Sequence, residues 1–505
     1  MIFFLILLLG VFARSWEFAS LTPLNQDEAS SAVDAYYVLH YGIDRNGISY
    51  PIQFIMWGSG QSSLHEYILI PFIIGFGLTP LATRLPMLIA GILAMPLMYL
   101  AARRIAGQRY ALIAMFLLAI SPWHIMMTRW SLNDNLLPVI FIAGFLCVLK
   151  STHDNHWFMA GCVFFAICFY AYGTAYAAIP IFLLISTPLL LSTKRVSVKT
   201  TMLGFGILAF LSIPILLFFS MNFLGLASIH LGPFTIPRFP VQPRYESLSV
   251  LFDENRLQLI TYNLLVMLKV LIVQTDGLIW NSLPSYGYFY KITFPLELVG
   301  LWVLMTWKHK TSHPERLMVL AWILGALMIG LQIEVNINRI NLIFMPLILC
   351  TAILLEWLAE RSKILFIASI CTFLIAFAFF AQGYFGKAYR DEIGWEFSAG
   401  FLPAMDFAIQ TSDRPICASD KVNMPYIYAL FAEKPNPLVY LNTVEYIDPQ
   451  AEFRHVRAFG RYTFGLQNCQ STPNTIYILR EDEELPSLEA SFKTHEFGIF
   501  NVYIP

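Results

Sequence analysis

Apolar blocks close to the length of a membrane span recur from one end of the chain to the other, and they limit it to one architecture. They fall at 2–12, 81–102, 110–127, 136–149, 157–170, 177–191, 202–219, 292–307, 317–331, 340–355 and 364–381. In hydrocarbon every backbone N–H and C=O must be satisfied within the protein, so such blocks form helices. Hydrophobic residues make up 57% of the 505 and charged residues 13%, about half the charged share of a soluble domain. The expectation is an α-helical polytopic membrane protein with about 11 transmembrane helices. Residues 1–12 carry no basic n-region and no small-residue cleavage site follows, so they read as a retained first helix.

Two segments need separate treatment. As one helix, 157–192 would reach about 54 Å against a hydrocarbon core of about 30 Å; two short helices meeting at "YAYGTAYA", around Gly173, fit better. "LHEYILIPFIIGFG" (64–77) is short and contains Pro71, which places it along the membrane interface rather than across the bilayer.

Lysine and arginine orient the spans. One set of short loops holds Arg103, Arg104, Arg109, Lys150, Lys194, Arg195, Lys199, Lys308, Lys310, Arg316, Arg361 and Lys363, whereas the short loops opposite hold only Arg129 and Arg339. The positive-inside rule puts the first set in the cytoplasm. Two long loops, 13–80 and 220–291, and the tail 382–505 then lie outside. The expected domains are a transmembrane domain, 1–381, and an extracytoplasmic α/β domain, 382–505. The tail combines β-rich runs ("PLVYL", "TIYIL", "FGIFNVYI") with a helical pattern, "MPYIYALFAE". Amphipathic residues 255–273 are expected to lie along the membrane as part of the cover by which the two long loops exclude water. Five cysteines (Cys147, Cys162, Cys168, Cys350, Cys371) sit in apolar blocks. Cys417 and Cys469 lie in the tail, where one disulfide in an oxidising compartment and two buried thiols are equal alternatives.

Every large polar element is therefore extracytoplasmic, and the chemistry is sought there. "LTPLNQDEASSAVDAYYVLHYGIDRNG" (21–47) sets Asp27, Glu28, Asp34 and Asp44 just after the first helix. A carboxylate at the membrane surface can serve as general base toward an acceptor hydroxyl; the plainer alternative is that the four solvate a loop or cap a helix. Arg84 begins the second span, Arg129 ends the third and Arg339 begins the tenth, all at the outer face on this topology. Positive charge there opposes the topological bias. Arginine grips phosphate through a planar fork, and snorkelling to the interface is the alternative.

"PLNQDEASSAVDAYYVLHYGIDRNG", followed by "SSLHEYILIP", "GFGLTPLATRLP", "RIAGQRYALIAMFLLAISPWHIMMTRWSLNDN" and "NRINLIFMPLIL", resembles the GT-C superfamily of membrane glycosyltransferases. The likeness is greatest to the branch of protein O-mannosyltransferases and bacterial aminoarabinose transferases, over roughly 1–200 and more weakly 275–355. These enzymes take a sugar from a polyprenyl-phosphate carrier at the outer membrane face. The resemblance implies a catalytic base at Asp27 and contact of the outer arginines with the carrier phosphate. It departs at the acid–lysine–proline element of aminoarabinose transferases, where this chain reads "GSGQSSLHEY". That leaves their phosphate grip absent here or moved to Arg84, Arg129 or His65. The extra lumenal repeats of yeast-type protein O-mannosyltransferases are also missing.

Gln61, His65 and Glu66 in the first long loop could line the site, with Glu28 in support, and Asp276 in "IVQTDGLIWNSLP" resembles an acceptor-side loop residue of relatives. No zinc spacing and no lysine-bearing Gly-rich phosphate loop occurs. No cofactor is implied; a divalent metal on Asp27 and Glu28 would need further ligands. The expected function is inverting transfer of a sugar from polyprenyl phosphate to a lipid, glycan or protein hydroxyl, in a bacterial inner membrane and without nucleic acid. A transporter or lipid-linked sugar flippase is the alternative, but transporters keep ionisable groups near the midplane, whereas these charges gather at one face.

Overall fold

The computed structural model describes residues 1–57, 59–151, 154–240, 250, 253–307, 313–451, 453–469, 474–485 and 492–505. Lys308, Lys310 and part of the 220–291 loop lie outside these. Among the described residues, eight helices are long and apolar enough to cross a membrane. Seven of the eight coincide with expected spans. The eighth, Arg256–Val273, was expected to lie along the membrane surface, yet its length and composition also suit a crossing. It buries Asn263, Met267, Val270 and Leu271 and packs on the helix His313–Gln332. The four remaining expected spans form shorter apolar helices, Ile2–Ser15, Gln108–Ile120, His156–Ala171 and Thr293–Thr306. The chain is an integral membrane protein.

The helices preceding the second long loop are α1 (Ile2–Ser15), α2 (Gln26–Tyr41), α3 (Leu64–Phe76), α4 (Pro80–Ala106), α5 (Gln108–Ile120), α6 (Pro122–Met127), α7 (Leu137–Lys150), α8 (His156–Ala171), α9 (Ala175–Ser192) and α10 (Val198–Phe223). The span expected at 110–127 is broken. Pro122 offers no N–H, and Ser121 before it is extended (φ −64°, ψ 121°), so α5 stops and α6 starts afresh. The carbonyl this frees at Ile120 accepts from the Tyr290 hydroxyl, and the Trp123 N–H donates to the Tyr288 carbonyl. Around Gly173 the chain turns between α8 and α9, as the sequence predicts, with Tyr172 extended.

The chain divides into two compact units. The first comprises Met1–Phe18, Met87–Leu216 and Tyr245–Tyr384. Its core includes a cluster of rings, Phe141, Phe145, Phe165, Phe182 and Trp322, with the Trp322 indole N–H on the Leu342 carbonyl. Small residues let helices approach closely in hydrocarbon. Gly300 lies directly against the Cys350 backbone, and Gly325 against that of Ala178, where a Cβ has no room.

The second unit comprises Ala19–Pro86, Leu217–Arg244 and Phe385–Pro505. Its strands are β1 (Gln53–Met56), β2 (Ser59–Ser62), β3 (Ile229–Leu231), β4 (Phe234–Ile236), β5 (Ile416–Ala418), β6 (Glu445–Tyr446), β7 (Val456–Phe459), β8 (Tyr462–Phe464), β9 (Ile476–Arg480), β10 (Lys493–Phe497) and β11 (Phe500–Ile504). The last seven form its central sheet, ordered β10-β11-β9-β5-β8-β7-β6. β5 runs parallel to β8 and β9, and the other pairings are antiparallel. Side chains alternate along the strands. Ile416, Ala418, Ile476 and Ile478 enter the main core with α2, α3 and the helices Phe401–Thr411 and Pro425–Glu433. Cys417, Tyr477 and Leu479 face the other way. There Cys417 and Cys469 form a disulfide. "PLVYL", expected as a strand, is instead the helix Pro437–Thr443: Asn436 caps it through the Leu438 N–H, and Pro437 occupies the first turn.

Candidate active site

α2 begins where the sequence places its acidic pair. Asn25 is the N-cap; its side chain accepts from the backbone N–H groups of Asp27 and Glu28, and Glu28 returns a bond to the Asn25 N–H. This capping box satisfies donors the helix cannot pair internally. Asp27 and Glu28 then occupy the first turn, where the positive end of the helix dipole favours carboxylates.

The two acids diverge. Glu28 is fully buried and accepts two bonds from Arg84, Nε to Oε1 at 2.7 Å and Nη2 to Oε2 at 2.6 Å. Arg84 is equally buried, and its other bonds run to the carbonyls of Thr22 (2.9 Å) and Pro23 (2.7 Å). Asp27 is only half-buried, and its Oδ1 accepts from the Trp57 indole N–H at 3.1 Å. One member of the acidic pair is thus neutralised inside the protein, and the other is half-buried against the Trp57 indole.

Gln61, His65 and Glu66 gather beside α2 in the same unit. Gln61 lies on β2 (Ser59–Ser62), the partner of β1 (Gln53–Met56), and its amide donates to the Ser31 hydroxyl at 3.0 Å. His65 and Glu66 are buried in the first turn of α3. Burial pushes the His65 imidazole down to about 3, so the ring is neutral at any ordinary pH. Burial pushes Glu66 up to about 8, and the Asp34 charge adds to the rise. Asp34 itself pairs with Arg45 (3.4 Å). Asp44, the last of the early acids, is buried and folds its own loop by accepting from Asn46 and Ile48 N–H groups.

Arg129, Arg339 and Asp276 belong to the first unit. The buried Arg129 caps the C-terminus of α1, Nη1 to the Arg14 carbonyl and Nη2 to the Glu17 carbonyl, both at 2.9 Å, and lies over the Tyr384 ring. Arg14, outside the span read at 2–12, does the same for α5: it donates to the Leu118 and Ala119 carbonyls and meets His124 Nδ1 at 2.6 Å. Each guanidinium complements the negative end of a helix dipole. Arg339 donates to Glu334 Oε2 at 2.8 Å, and the Glu334 side chain is 74% exposed. Asp276 accepts from the Ile337 N–H (2.9 Å) and the Asn281 amide (2.7 Å), bracing its loop to the segment before Arg339.

Among the described residues, no three His, Cys, Asp or Glu side chains gather to hold a metal ion. The adjacent pair Asp27 and Glu28 fits one poorly, since both Glu28 oxygens already accept from Arg84.

Residues 64–218 match the family model Dolichyl-phosphate-mannose-protein mannosyltransferase. The fold resembles ArnT from Cupriavidus metallidurans, a structure bound to undecaprenyl phosphate, over 99% of this chain and 97% of that one (TM-score 0.61, 14% identity). It also resembles the Archaeoglobus fulgidus oligosaccharyltransferase in complex with zinc and sulfate (TM-score 0.56, 13% identity), over 86% of this chain but 61% of that longer one. Archaeal AglB from Archaeoglobus fulgidus, with an inhibitory peptide and a dolichol-phosphate, aligns at TM-score 0.52 and 13% identity, over 85% of this chain and 63% of that one. At such identities the likeness is one of fold. No curated protein sequence matches the chain.

Sequence reasoning did not find Trp57, Arg45 or Arg14. Trp57 stands in "IMWGSG" and Arg45 in "GIDRNG", where neither periodicity nor a motif marks them. Arg14 was recognisable only as a charge just beyond an apolar block.

Proposed function

We propose that this protein transfers a sugar, with inversion, from a polyprenyl-phosphate carrier to an acceptor hydroxyl at the outer face of a bacterial inner membrane. The observation that carries the reading is the asymmetry of the acidic pair: Glu28 is locked on Arg84 while Asp27 stays half-buried at a helix N-terminus. The family match over 64–218 and the carrier lipids named for ArnT and AglB support the donor class.

Asp27 takes the proton of the acceptor hydroxyl as its oxygen attacks the anomeric carbon, and the bond from that carbon to the phosphate oxygen breaks. Polyprenyl phosphate leaves with added negative charge, which fixed cations stabilise best. Arg339, whose guanidinium donates to the Glu334 carboxylate and carbonyl, is the proposed cation. Arg84 and Glu28 act together as a brace that fixes the turn carrying Asp27. Gln61, His65 and Glu66 pack behind that turn, with His65 neutral. No step runs through a metal ion.

The test is release of polyprenyl phosphate by purified protein offered polyprenyl-phosphate sugars, beginning with the mannosyl one, with and without hydroxyl acceptors. Acceptor-dependent release that Asp27→Asn abolishes supports the reading. Vectorial movement of the intact lipid without cleavage supports a flippase instead.

A further inference from the structure

Trp57 occupies a backbone position that resists it. Directly after β1 its φ is +57°, in the left-handed region that a bulky L-residue adopts at a cost and that glycine or asparagine adopts readily. Residues persist in such conformations where their surroundings over-determine them. Four contacts do so here. The indole N–H donates to Asp27 Oδ1 at 3.1 Å. The Arg45 guanidinium lies over the ring, 5.3 Å from its centroid. The Tyr426 ring meets it edge-to-face at 6.2 Å and 89°. The Trp57 carbonyl accepts from the Arg454 N–H at 2.7 Å.

These contacts close a circuit on one face of α2. Asp27, Ser30 and Asp34 recur at helical spacing, and Arg45 bonds the Ser30 hydroxyl (2.6 Å) and pairs with Asp34 (3.4 Å) while its guanidinium lies over Trp57. The indole therefore bridges the guanidinium to the Asp27 carboxylate. A cation over an aromatic face is attracted by its π-system and draws electron density from the ring, which strengthens the indole as a donor. Tyr426 and Arg454 come from the C-terminal segment, so the tail domain helps to hold the residue that touches the proposed base.

We infer that Trp57 is a positioning residue for Asp27: its indole N–H fixes the carboxylate's orientation and stabilises its charged form, and the C-terminal α/β domain serves catalysis by clamping Trp57 from behind. The inference rests on the reading of Asp27 as general base. It gives the tail a mechanical part in the reaction.

The experiment replaces the donor and keeps the shape. Trp57 is exchanged for 3-benzothienylalanine, in which sulfur stands where the N–H was, and separately W57F is made; both are assayed with polyprenyl-phosphate mannose across pH. Losing a hydrogen bond to the charged form weakens and misorients the base. The expected result is a kcat about 10-fold lower, an unchanged KM for the carrier, and an acid limb of the pH–rate profile about one unit higher. A role confined to packing leaves the benzothienyl variant at wild-type kcat with an unmoved acid limb, and that result overturns the inference even while D27N is inactive. Active D27N would instead remove the base itself. A readout free of turnover is the ¹⁵N-labelled Trp57 indole resonance. It should follow pH through the carboxylate's titration in wild-type protein and lose that dependence in D27N; a resonance indifferent to pH in both overturns the inference equally.

Discussion

Arg84 and Glu28 meet as a two-point ion pair with neither side chain exposed, at 2.6 and 2.7 Å, one residue from the half-buried Asp27. A buried pair contributes modestly as a unit, because desolvation offsets the attraction, but breaking it leaves a lone charge in low dielectric. Arg84→Met or Glu28→Leu alone should therefore lower stability by about 3–5 kcal/mol, and the double replacement should recover most of the loss. Thermal unfolding in detergent reads this directly. Stable single variants with altered carrier affinity would instead mark Arg84 as a phosphate ligand.

Glu66 makes stability fall as pH rises. Its folded value, about 8, lies above its ordinary value of 4.5, burial being the main cause. The folded state thus binds the extra proton between those values. Its contribution is complete below pH 4.5 and is lost as pH climbs through 8. Asp44, also raised by burial, to about 7, acts in the same direction. Unfolding midpoints measured from pH 5 to 8.5 should decline, and E66Q should flatten the curve. An E66Q profile parallel to wild type contradicts the buried, protonated Glu66.

The Cys417–Cys469 bridge ties β5 to the segment after β8 and fits a tail outside the cytoplasm. Native protein should leave both cysteines unlabelled by maleimide until it is reduced and unfolded, and a reporter after Pro505 should be extracytoplasmic. Replacing either cysteine by serine should cost about 2–4 kcal/mol. Free thiols at both positions in freshly isolated membranes would place the tail in a reducing compartment.

Two arginines separate by their partners. Arg129 bonds carbonyls at the end of α1, so Arg129→Met should lower the unfolding temperature. Arg339, on the exposed Glu334, should leave it nearly unchanged as Arg339→Ala, while carrier use falls about 10- to 100-fold, the worth of one charge-assisted contact. Equal effects of the two on both measurements would contradict the division of roles.

Much of this was legible in the sequence because it rests on local chemistry. The turn at Gly173 and the span lengths follow from residues close together in the chain; so does the capping box at Asn25, although the sequence reading offered only a general capping role for the acids. "PLVYL" misled because its apolar residues suit a strand, while Asn436 and Pro437 ahead of it set a helix start. The break at Ser121–Pro122 was written in the proline but outweighed by the apolar run around it. Trp57, Arg45 and Tyr426 were beyond reach: their meaning lies in contacts between residues distant in the chain, Trp57 with Asp27 30 positions away and with Tyr426 of the tail.

One comparison tests Asp27 as the base. Purified wild type and D27N are each given polyprenyl-phosphate sugar and acceptor, and released polyprenyl phosphate is quantified alongside carrier binding and unfolding temperature. Losing a general base costs about 10² to 10⁴ in rate. Release from D27N should fall by at least about 10²-fold, with binding and stability retained. Release from D27N at near the wild-type rate would remove Asp27 from the reaction.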